Sequence, residues 1–503
     1  MQTIEQAIWE QALRHPDKIA VKSGKDEVSY NQLTSRILSA KLMLQNLPGY
    51  EKGRSVILAA GKQIEFLYVY FGAHLAGLVV APIDTETNPT RFGYITDAIN
   101  PFCVIGFDKM DTDIQRISLK EFKQLPEEST FSRIVFPEED AIADILFTTG
   151  TTGAPKGVPL TYKNEAAAAR NINTYIENTS DDVELLALPI SHSFGLGRIR
   201  CCLVNGQTLI LLGSFVNTKK IFRTIEEENV TGFSMVPASW KFLQKMSGEK
   251  IAEYSHQLKY IEMGSAYLSV EDKTHLANLF PSTRIIMHYG LTEASRSAFM
   301  EFHEDVKNIA SVGKASPYTQ ICTFDEKGVM LSNGEEGEIC VKGDHVTAGY
   351  LNIPTDNIFY GDGFFRTGDI GTINSEGYIT LKSRIKELIN VGGKKVAPTE
   401  VDEQIIKIDG VVDCACVGVK DPEGVLGEIV KAYIVKAEES ELTFEYISER
   451  LQGKLESYKI PVQYEWINAI PKTSNGKIQR TLSTYFLIPL ILHFLLAQTC
   501  GGI

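Results

Sequence analysis

Residues 145–160 read Ile-Leu-Phe-Thr-Thr-Gly-Thr-Thr-Gly-Ala-Pro-Lys-Gly-Val-Pro-Leu. The first three form a short apolar run that predicts a buried strand. It empties into Thr148, Thr149, Gly150, Thr151, Thr152, Gly153 and Ala154, then Pro155, Lys156 and Gly157. Gly150 and Gly153 permit positive φ, so successive backbone N–H groups can turn toward one point and form an anion-binding nest. The threonine hydroxyls add donors for phosphate oxygens, and Lys156 adds a cation. Such a loop suits a polyphosphate. A lone Gly-Thr turn reads more simply as a polar connection, but this density of glycine, hydroxyl and lysine directly after a strand favours phosphate. It is not a Walker A loop. That pattern needs Gly-Lys-Ser/Thr opening a helix, whereas here prolines at 155 and 159 flank the lysine and Gly157 follows it.

The chain around this loop has 503 residues, too many for one compact core, so several subdomains are expected. Hydrophobic residues make up 44 % and charged residues 22 %, the balance of an ordinary globular protein. A net charge of −13 argues against general nucleic-acid binding. None of the eight cysteines forms a Cys-x-x-Cys pair. Cys201 and Cys202 are adjacent, and Cys414 and Cys416 would share one face of a strand. Reduced, buried thiols in a cytoplasmic protein are expected, not a disulfide framework or a zinc site. The first residues carry Glu5 and Glu10 and no basic-then-apolar leader, so no secretory signal is read.

Strands and helices alternate along the chain. Residues 3–14 predict an amphipathic helix with Ile4, Ala7, Ile8 and Leu13 on one side. Strands are expected at 19–21 and 28–30, a helix at 31–47, a strand at 55–59, a helix at 64–76 and a strand at 79–82. After the loop, a helix is expected to begin at 166–169. This alternation implies α/β layers with parallel sheets.

The loop at 148–156 resembles the phosphate loop of the adenylate-forming enzymes. These are the acyl- and aryl-CoA synthetases, the firefly-luciferase-like enzymes and the adenylation domains of peptide synthetases. Further motifs follow in that family's order. The stretch 186–196, Leu-Ala-Leu-Pro-Ile-Ser-His-Ser-Phe-Gly-Leu, is similar to a segment whose His or aromatic ring borders the carboxylate pocket, which puts His192 there. It most resembles versions from fatty-acid and aryl-acid ligases, and no Asp stands nearby to hold a substrate ammonium. Gly264, Ser265 and Ala266, with Tyr267 where proline is usual, resemble a turn that lies against the adenine. His288-Tyr-Gly-Leu-Thr-Glu matches the family's Tyr-Gly-x-Thr-Glu. Tyr289 offers a flat ring for the adenine, flanked by His288, Gly290 and Leu291. Thr292 can hydrogen-bond the α-phosphate. Glu293 and Thr149 would hold Mg²⁺, an ion that takes few protein ligands and completes its shell with phosphate and water.

The resemblance also assigns the C-terminal part. Asp369, after Thr-Gly, would accept hydrogen bonds from the ribose hydroxyls, with Arg384 reaching the same sugar. Lys386 stands at the family's hinge. Gly392 and Gly393 resemble the loop that lines the thiol channel. The family often has a lysine at the position of Asn390, so that residue's role does not carry over. Residues 471–480 are similar to Pro-Lys-Thr-x-x-Gly-Lys-x-x-Arg, which makes Lys477 the catalytic lysine.

The fold expected is α/β. Residues 1–384 would form a large N-terminal adenylation domain of two α/β-layered sheets and a small barrel-like subdomain. Residues 385–481 would form a small mobile α+β domain. The apolar tail at 482–503 departs from the family. Its near-continuous apolar run, 485–497, is shorter than the roughly 17–25 residues of a spanning helix. A membrane-contact helix, a packed terminal helix and a reading-frame extension all stay open for it.

The implied activity is ATP- and Mg²⁺-dependent conversion of a carboxylic acid, fatty or aromatic by first choice, to an acyl-AMP. Transfer to CoA, or to the phosphopantetheine of a separate carrier protein, follows. Phe194, Trp240 and Met263 could line an apolar acyl pocket or belong to the core. A stand-alone amino-acid adenylating enzyme is the alternative.

Overall fold

The computed structural model describes residues 2–126, 134–148, 155–438, 440–472 and 477–480. Two compact units emerge. The larger comprises Met1–Glu335, Cys340–Thr367 and Ile373–Thr380; the smaller comprises Glu336–Ile339, Gly368–Thr372 and the chain from Leu381 on.

The larger unit is built on two extended sheets. One has six strands in the order 116–117, 103–105, 55–59, 79–83, 142–147, 157–161. The other has nine, in the order 314–315, 298–301, 284–289, 260–263, 232–235, 183–186, 208–211, 19–23, 26–29. Their central pairs are parallel, and antiparallel strands sit toward the edges. Parallel strands are covered on both faces, so they read as unbroken apolar runs such as Ser55–Ala59 and Val79–Ile83. Alternate residues then feed different cores. On strand Tyr260–Met263, Ile261 and Met263 join a cluster with Trp240 and Met287, while Tyr260 faces the cluster of Trp9, Leu196 and Phe299. A further five-stranded sheet is formed by strands between Gln320 and Arg384.

Local chemistry sets the helix boundaries. Thr3 and Gln6 form a reciprocal capping box that starts the helix Ile4–Arg14. Ile4, Ala7 and Ile8 are buried as expected, but Leu13 is 67 % exposed and Ala12 takes the inward position. The helical period of 3.6 places residue 12, four on from Ile8, beneath the core stripe. Thr161 and Asn164 form a second capping box, so the helix after the phosphate loop begins at Tyr162, earlier than expected. Between loop and helix runs a strand, Gly157–Thr161, that the prolines at 155 and 159 had hidden.

In the smaller unit a three-stranded sheet, ordered Val411–Lys420, Glu428–Lys436 and Gln463–Trp466, packs with the helices Pro398–Ile405 and Phe444–Leu451 around Cys414, Cys416, Val430 and Ile447. The two cysteines do share a face. Seven described cysteines are free thiols, all but Cys322 buried. Among the described residues no helix is long and apolar enough to cross a membrane. The apolar tail lies outside the described residues.

Candidate functional site

The two strands that flank the phosphate loop pair with each other. Strands Ile142–Phe147 and Gly157–Thr161 pair antiparallel, and the Thr148 amide donates to the Lys156 carbonyl at 3.0 Å, closing the neck. Arg91 clamps this neck by donating to the carbonyls of Phe147 and Thr148 at 3.3 and 3.5 Å. Residues 149–154, and with them Thr149, Gly150, Thr151, Thr152 and Gly153, lie outside the described residues.

A strap at 346–351 ties this hairpin to the acidic loop. The Leu351 amide donates to the Gly157 carbonyl (2.9 Å), and the Thr347 hydroxyl donates to the Pro159 carbonyl (2.6 Å). On its other side the Thr347 amide donates to the Glu293 carbonyl (2.9 Å), and Val346 bridges Ala294. Asn164, at the start of the loop's helix, holds the strap through the carbonyls of Asp344 and Val346 at 2.8 and 2.9 Å. From the strap the Tyr350 hydroxyl donates to Glu293 Oε1 at 2.7 Å. The Lys156 ammonium lies 4.9 Å from the centre of the Tyr350 ring. One tyrosine therefore fixes both the carboxylate and the cation. Oε2 of Glu293 bonds none of the described residues.

Strand Arg284–Tyr289 carries the adenine motif to its C-terminal end. Alternation puts His288 and Tyr289 on opposite faces. The His288 ring is buried, with Nδ1 2.7 Å from Glu262 Oε1 and the ring edge-on to Phe194 at 4.5 Å. Gly264 is there of necessity, since a Cβ on it would stand 2.2 Å from the imidazole. Two residues expected at the nucleotide are thus packed against each other. Gly290 is equally constrained: its Cβ would meet the Arg296 amide at 2.4 Å, because residues 290–296 fold tightly back through mutual bonds of Leu291 and Ala294. Ser265 takes a φ of 70° in the turn that Ala266 continues. His192 precedes the helix Ser193–Val204 as its N-cap.

Behind these motifs lies a buried charge network. Glu262 receives Arg296 at 3.2 Å and Ser234 at 3.1 Å, with Arg198 at 3.4 Å. Burial pushes its pKa up, but Arg296, His288 and Arg198 outweigh that and hold the carboxyl below the usual range. Burial pushes His288 down, against the pull of Glu262. Arg296 also donates to the carbonyls of Ser193 and Phe194, both at 2.8 Å. Beside it a cavity opens between the helices Tyr162–Ile176 and Ser193–Val204, with Thr292, Ser193 and Ser295 among its lining. Phe194, Trp240 and Met263 do not line it. All three are core, and Trp240 and Met263 are wholly buried.

The smaller unit carries the remaining candidates. Asp369 is buried and pairs with Arg384 at 2.9 Å, so the two residues assigned to the ribose meet. Lys386 sits in a single turn of 3₁₀ helix directly after the strand ending at Arg384. Gly392 and Gly393, with φ of 56° and 84°, form the two-residue turn of the hairpin Ile389–Val391/Lys394–Val396. Two consecutive positive φ angles are what such a turn requires. Lys477 is exposed, next to a small ladder in which Lys472 bridges Ile478 and the Gln479 amide reaches the Pro471 carbonyl at 2.9 Å. Arg480 anchors that ladder, donating to Cys416 O (2.7 Å), Asp402 (2.6 Å) and Glu387 (3.1 Å).

Sequence reasoning missed Arg91, Asn164, Tyr350 and Arg296. Tyr350, with Gly349, stands in a stretch that resembles the family's small barrel-like subdomain, and nothing local marks it as a site residue.

Comparison with known proteins agrees with this geometry. The family model described as AMP-binding enzyme matches residues 8–351, and its C-terminal domain matches 400–477. The chain is similar to a 2-succinylbenzoate–CoA ligase of Staphylococcus aureus, at 28 % identity over 94 % of this chain and 98 % of the relative. It is also similar to the long-chain-fatty-acid–CoA ligase FadD13 of Mycobacterium tuberculosis, at 29 % identity over 86 % and 88 %. Among solved structures, ATP-bound MatB from Rhodopseudomonas palustris superposes with a TM-score of 0.87 at 26 % identity, covering 96 % of this chain and 99 % of that one. The chain belongs to the AMP-binding enzymes.

Proposed function

We propose that this member of the AMP-binding enzymes is an acid–thiol ligase. It converts ATP and a carboxylic acid to an acyl-AMP and pyrophosphate, then passes the acyl group to the thiol of CoA. The carrying observation is the triad Glu293–Tyr350–Lys156 at the neck of the phosphate hairpin. The relatives' activities support the ligase reading and an aromatic or fatty acid as substrate. The absence of an aspartate among residues 191–196 supports a simple acid over an amino acid.

The first step brings a carboxylate against a polyanion, so opposing charge must already be in place. Lys156 and the loop hydroxyls hold the triphosphate. Tyr289 offers its face to the adenine, and Asp369 with Arg384 takes the ribose. Thr292 donates to the α-phosphate. By the family resemblance, Lys477 is the cation that meets the negative charge building on the α-phosphate oxygens as the carboxylate attacks. The donor set suits Mg²⁺: among the described residues Glu293 keeps one carboxylate oxygen unbonded, a hard donor of the type the ion takes. Glu293 and Thr149 would hold Mg²⁺, which when bound would neutralise charge on the phosphates. In the second step the sulfur attacks the acyl carbon and AMP leaves with one oxygen of the original carboxylate. The resemblance to the family implies a hinge at Lys386 and a part in the thiol step for the Gly392–Gly393 turn.

The test is acid-dependent pyrophosphate release across aryl, fatty and amino acids, with mass analysis of the products formed with CoA. Acyl-AMP and then acyl-CoA are expected. Production of ADP, or no turnover with any acid, contradicts the proposal.

A further inference from the structure

The run Ser-Phe-Gly-Leu-Gly at 193–197 opens the helix Ser193–Val204 directly after His192. Its two glycines answer to two close approaches. A Cβ on Gly195 would stand 2.3 Å from the Pro189 carbonyl, and one on Gly197 would stand 2.7 Å from Nη1 of Arg296. The body of the helix is held by its own charges. Arg198 pairs with Glu184 at 2.6 Å, and Arg200 pairs with Glu165 at 2.8 Å and with Asp144. The first turn, Ser-Phe-Gly-Leu, carries no charge. It is gripped from outside by Arg296. Nη1 and Nη2 of that residue donate to the carbonyls of Ser193 and Phe194, and its guanidinium lies 4.7 Å from the centre of the Phe194 ring.

Two local preferences are overridden at Arg296. Its φ is 55°, in the left-handed region that a glycine would occupy at less cost. Its buried cation sits against the first turn of a helix, the end that disfavours positive charge. Such violations persist only where the surroundings over-determine them, and they gather at functional sites. Here the surroundings are three of the motifs already placed. Arg296 itself stands three residues after Glu293 and four after Thr292, beyond the fold-back that Leu291 and Ala294 close. Its Nε donates to Glu262 at 3.2 Å, on the strand that leads into Gly264. Its other edge grips the two residues that follow His192. One side chain thus ties the segment assigned to the acid to the turn assigned to the α-phosphate.

We infer that Arg296 is a positioning residue for acyl-AMP formation: through the Ser193 and Phe194 carbonyls it sets the carboxylate, at His192, at its distance from the α-phosphate, at Thr292. The inference rests on the acid-ligase reading and deepens it. Attack of one bound reactant on another is steep in geometry, and a misplacement of about 1 Å costs on the order of 10²-fold. ATP keeps the contacts that Lys156, Tyr289 and Asp369 offer it. The loss on disturbing Arg296 therefore falls on kcat and on the acid, not on KM for ATP.

The experiment is acid-dependent ATP–pyrophosphate exchange by the full chain, with the best acid of an aryl, fatty and amino-acid panel, in Arg296→Lys and Gly197→Ala. The first keeps a cation opposite Glu262 but has no fork for two carbonyls. The second keeps Arg296 and crowds its Nη1 off the Ser193 carbonyl. As a helix position alone, Gly197→Ala would raise the melting temperature. In both variants kcat is expected to fall roughly 10- to 100-fold, with KM for the acid raised and KM for ATP unchanged. An unaltered kcat in either folded variant overturns the inference. A fall in kcat matched by a rise in KM for ATP also overturns it, since that is general damage to the site. Should one variant not fold, the other decides; failure of both to fold makes Arg296 a folding residue and overturns the inference too. No exchange with any acid by the unsubstituted chain overturns the ligase reading and the inference with it.

Discussion

Two lysines, each beside a small β-ladder, differ in how they are held: Lys156 is half-buried and Lys477 exposed. Lys156 stands at the neck of a hairpin clamped by Arg91 and strapped by residues 346–351, with its ammonium over Tyr350. Lys477 is exposed, next to the Lys472–Ile478 bridge that Arg480 anchors. The contrast teaches a division of labour. Charge that only has to hold a triphosphate can be fixed before substrate arrives, at no cost in reorganisation. Charge that must act in one step and leave before the next is better carried on an exposed residue, where desolvation is met only at the moment of use.

The sharpest way to break this contrast is Lys477→Ala. Acyl-AMP formation should fall by roughly 10²- to 10³-fold, the loss typical of one transition-state donor. Thioester formation from supplied acyl-AMP should persist within a few-fold; equal loss in both assays would erase the division. On the Lys156 side, Tyr350→Phe removes the bond that holds Glu293. A drop of about tenfold in kcat/KM for ATP is expected, with the Mg²⁺ titration shifted to higher concentration. Combined with Glu293→Gln, the two effects should be clearly non-additive; simple additivity would mean that the tyrosine does not act through the carboxylate.

These two experiments also mark what could be read from the residues. Thr148–Lys156, the Tyr-Gly-x-Thr-Glu run and the Lys477 segment are local patterns, each spelled out within a dozen positions. Tyr350 is not, because its partner Glu293 is 57 residues away and the contact is made by folding. Trp240 and Met263 could not be sorted between pocket and core, since strands covered on both faces give no sign of which core they feed. Arg200, Arg296 and Glu165 escaped for a similar reason. A charged residue on a helix or loop normally faces water, and only the assembled network shows that these do not. Leu13 erred the other way, by one position of helical phase.

A smaller effect is expected at the Gly392–Gly393 turn. Gly393→Val forces a β-branched residue into φ of 84°, a strain on the order of 1–2 kcal/mol. Transfer to CoA should slow several-fold while pyrophosphate release is kept. A parallel fall in both would move the turn out of the thiol channel.

The smallest effect is on stability. His74 is buried between Glu5 (2.7 Å) and Asp144 (3.2 Å). Burial alone would lower its pKa, but bonds and charges from these two carboxyl groups outweigh that and raise it from 6.5 to about 10. A raised folded-state pKa stabilises fully below the unfolded value and less as pH climbs toward the folded one. The melting temperature should therefore decline by several degrees from pH 6.5 to 10, and His74→Gln should flatten that slope. An unchanged slope would place the pH dependence elsewhere.

All of this presumes that the carboxylate attacks the α-phosphorus, and the fate of one oxygen tests that most directly. With an ¹⁸O-labelled acid, ATP and CoA, the label should appear in AMP, because the carboxylate oxygen that forms the adenylate leaves with the nucleotide. Label in inorganic phosphate, with ADP as the nucleotide product, would contradict it.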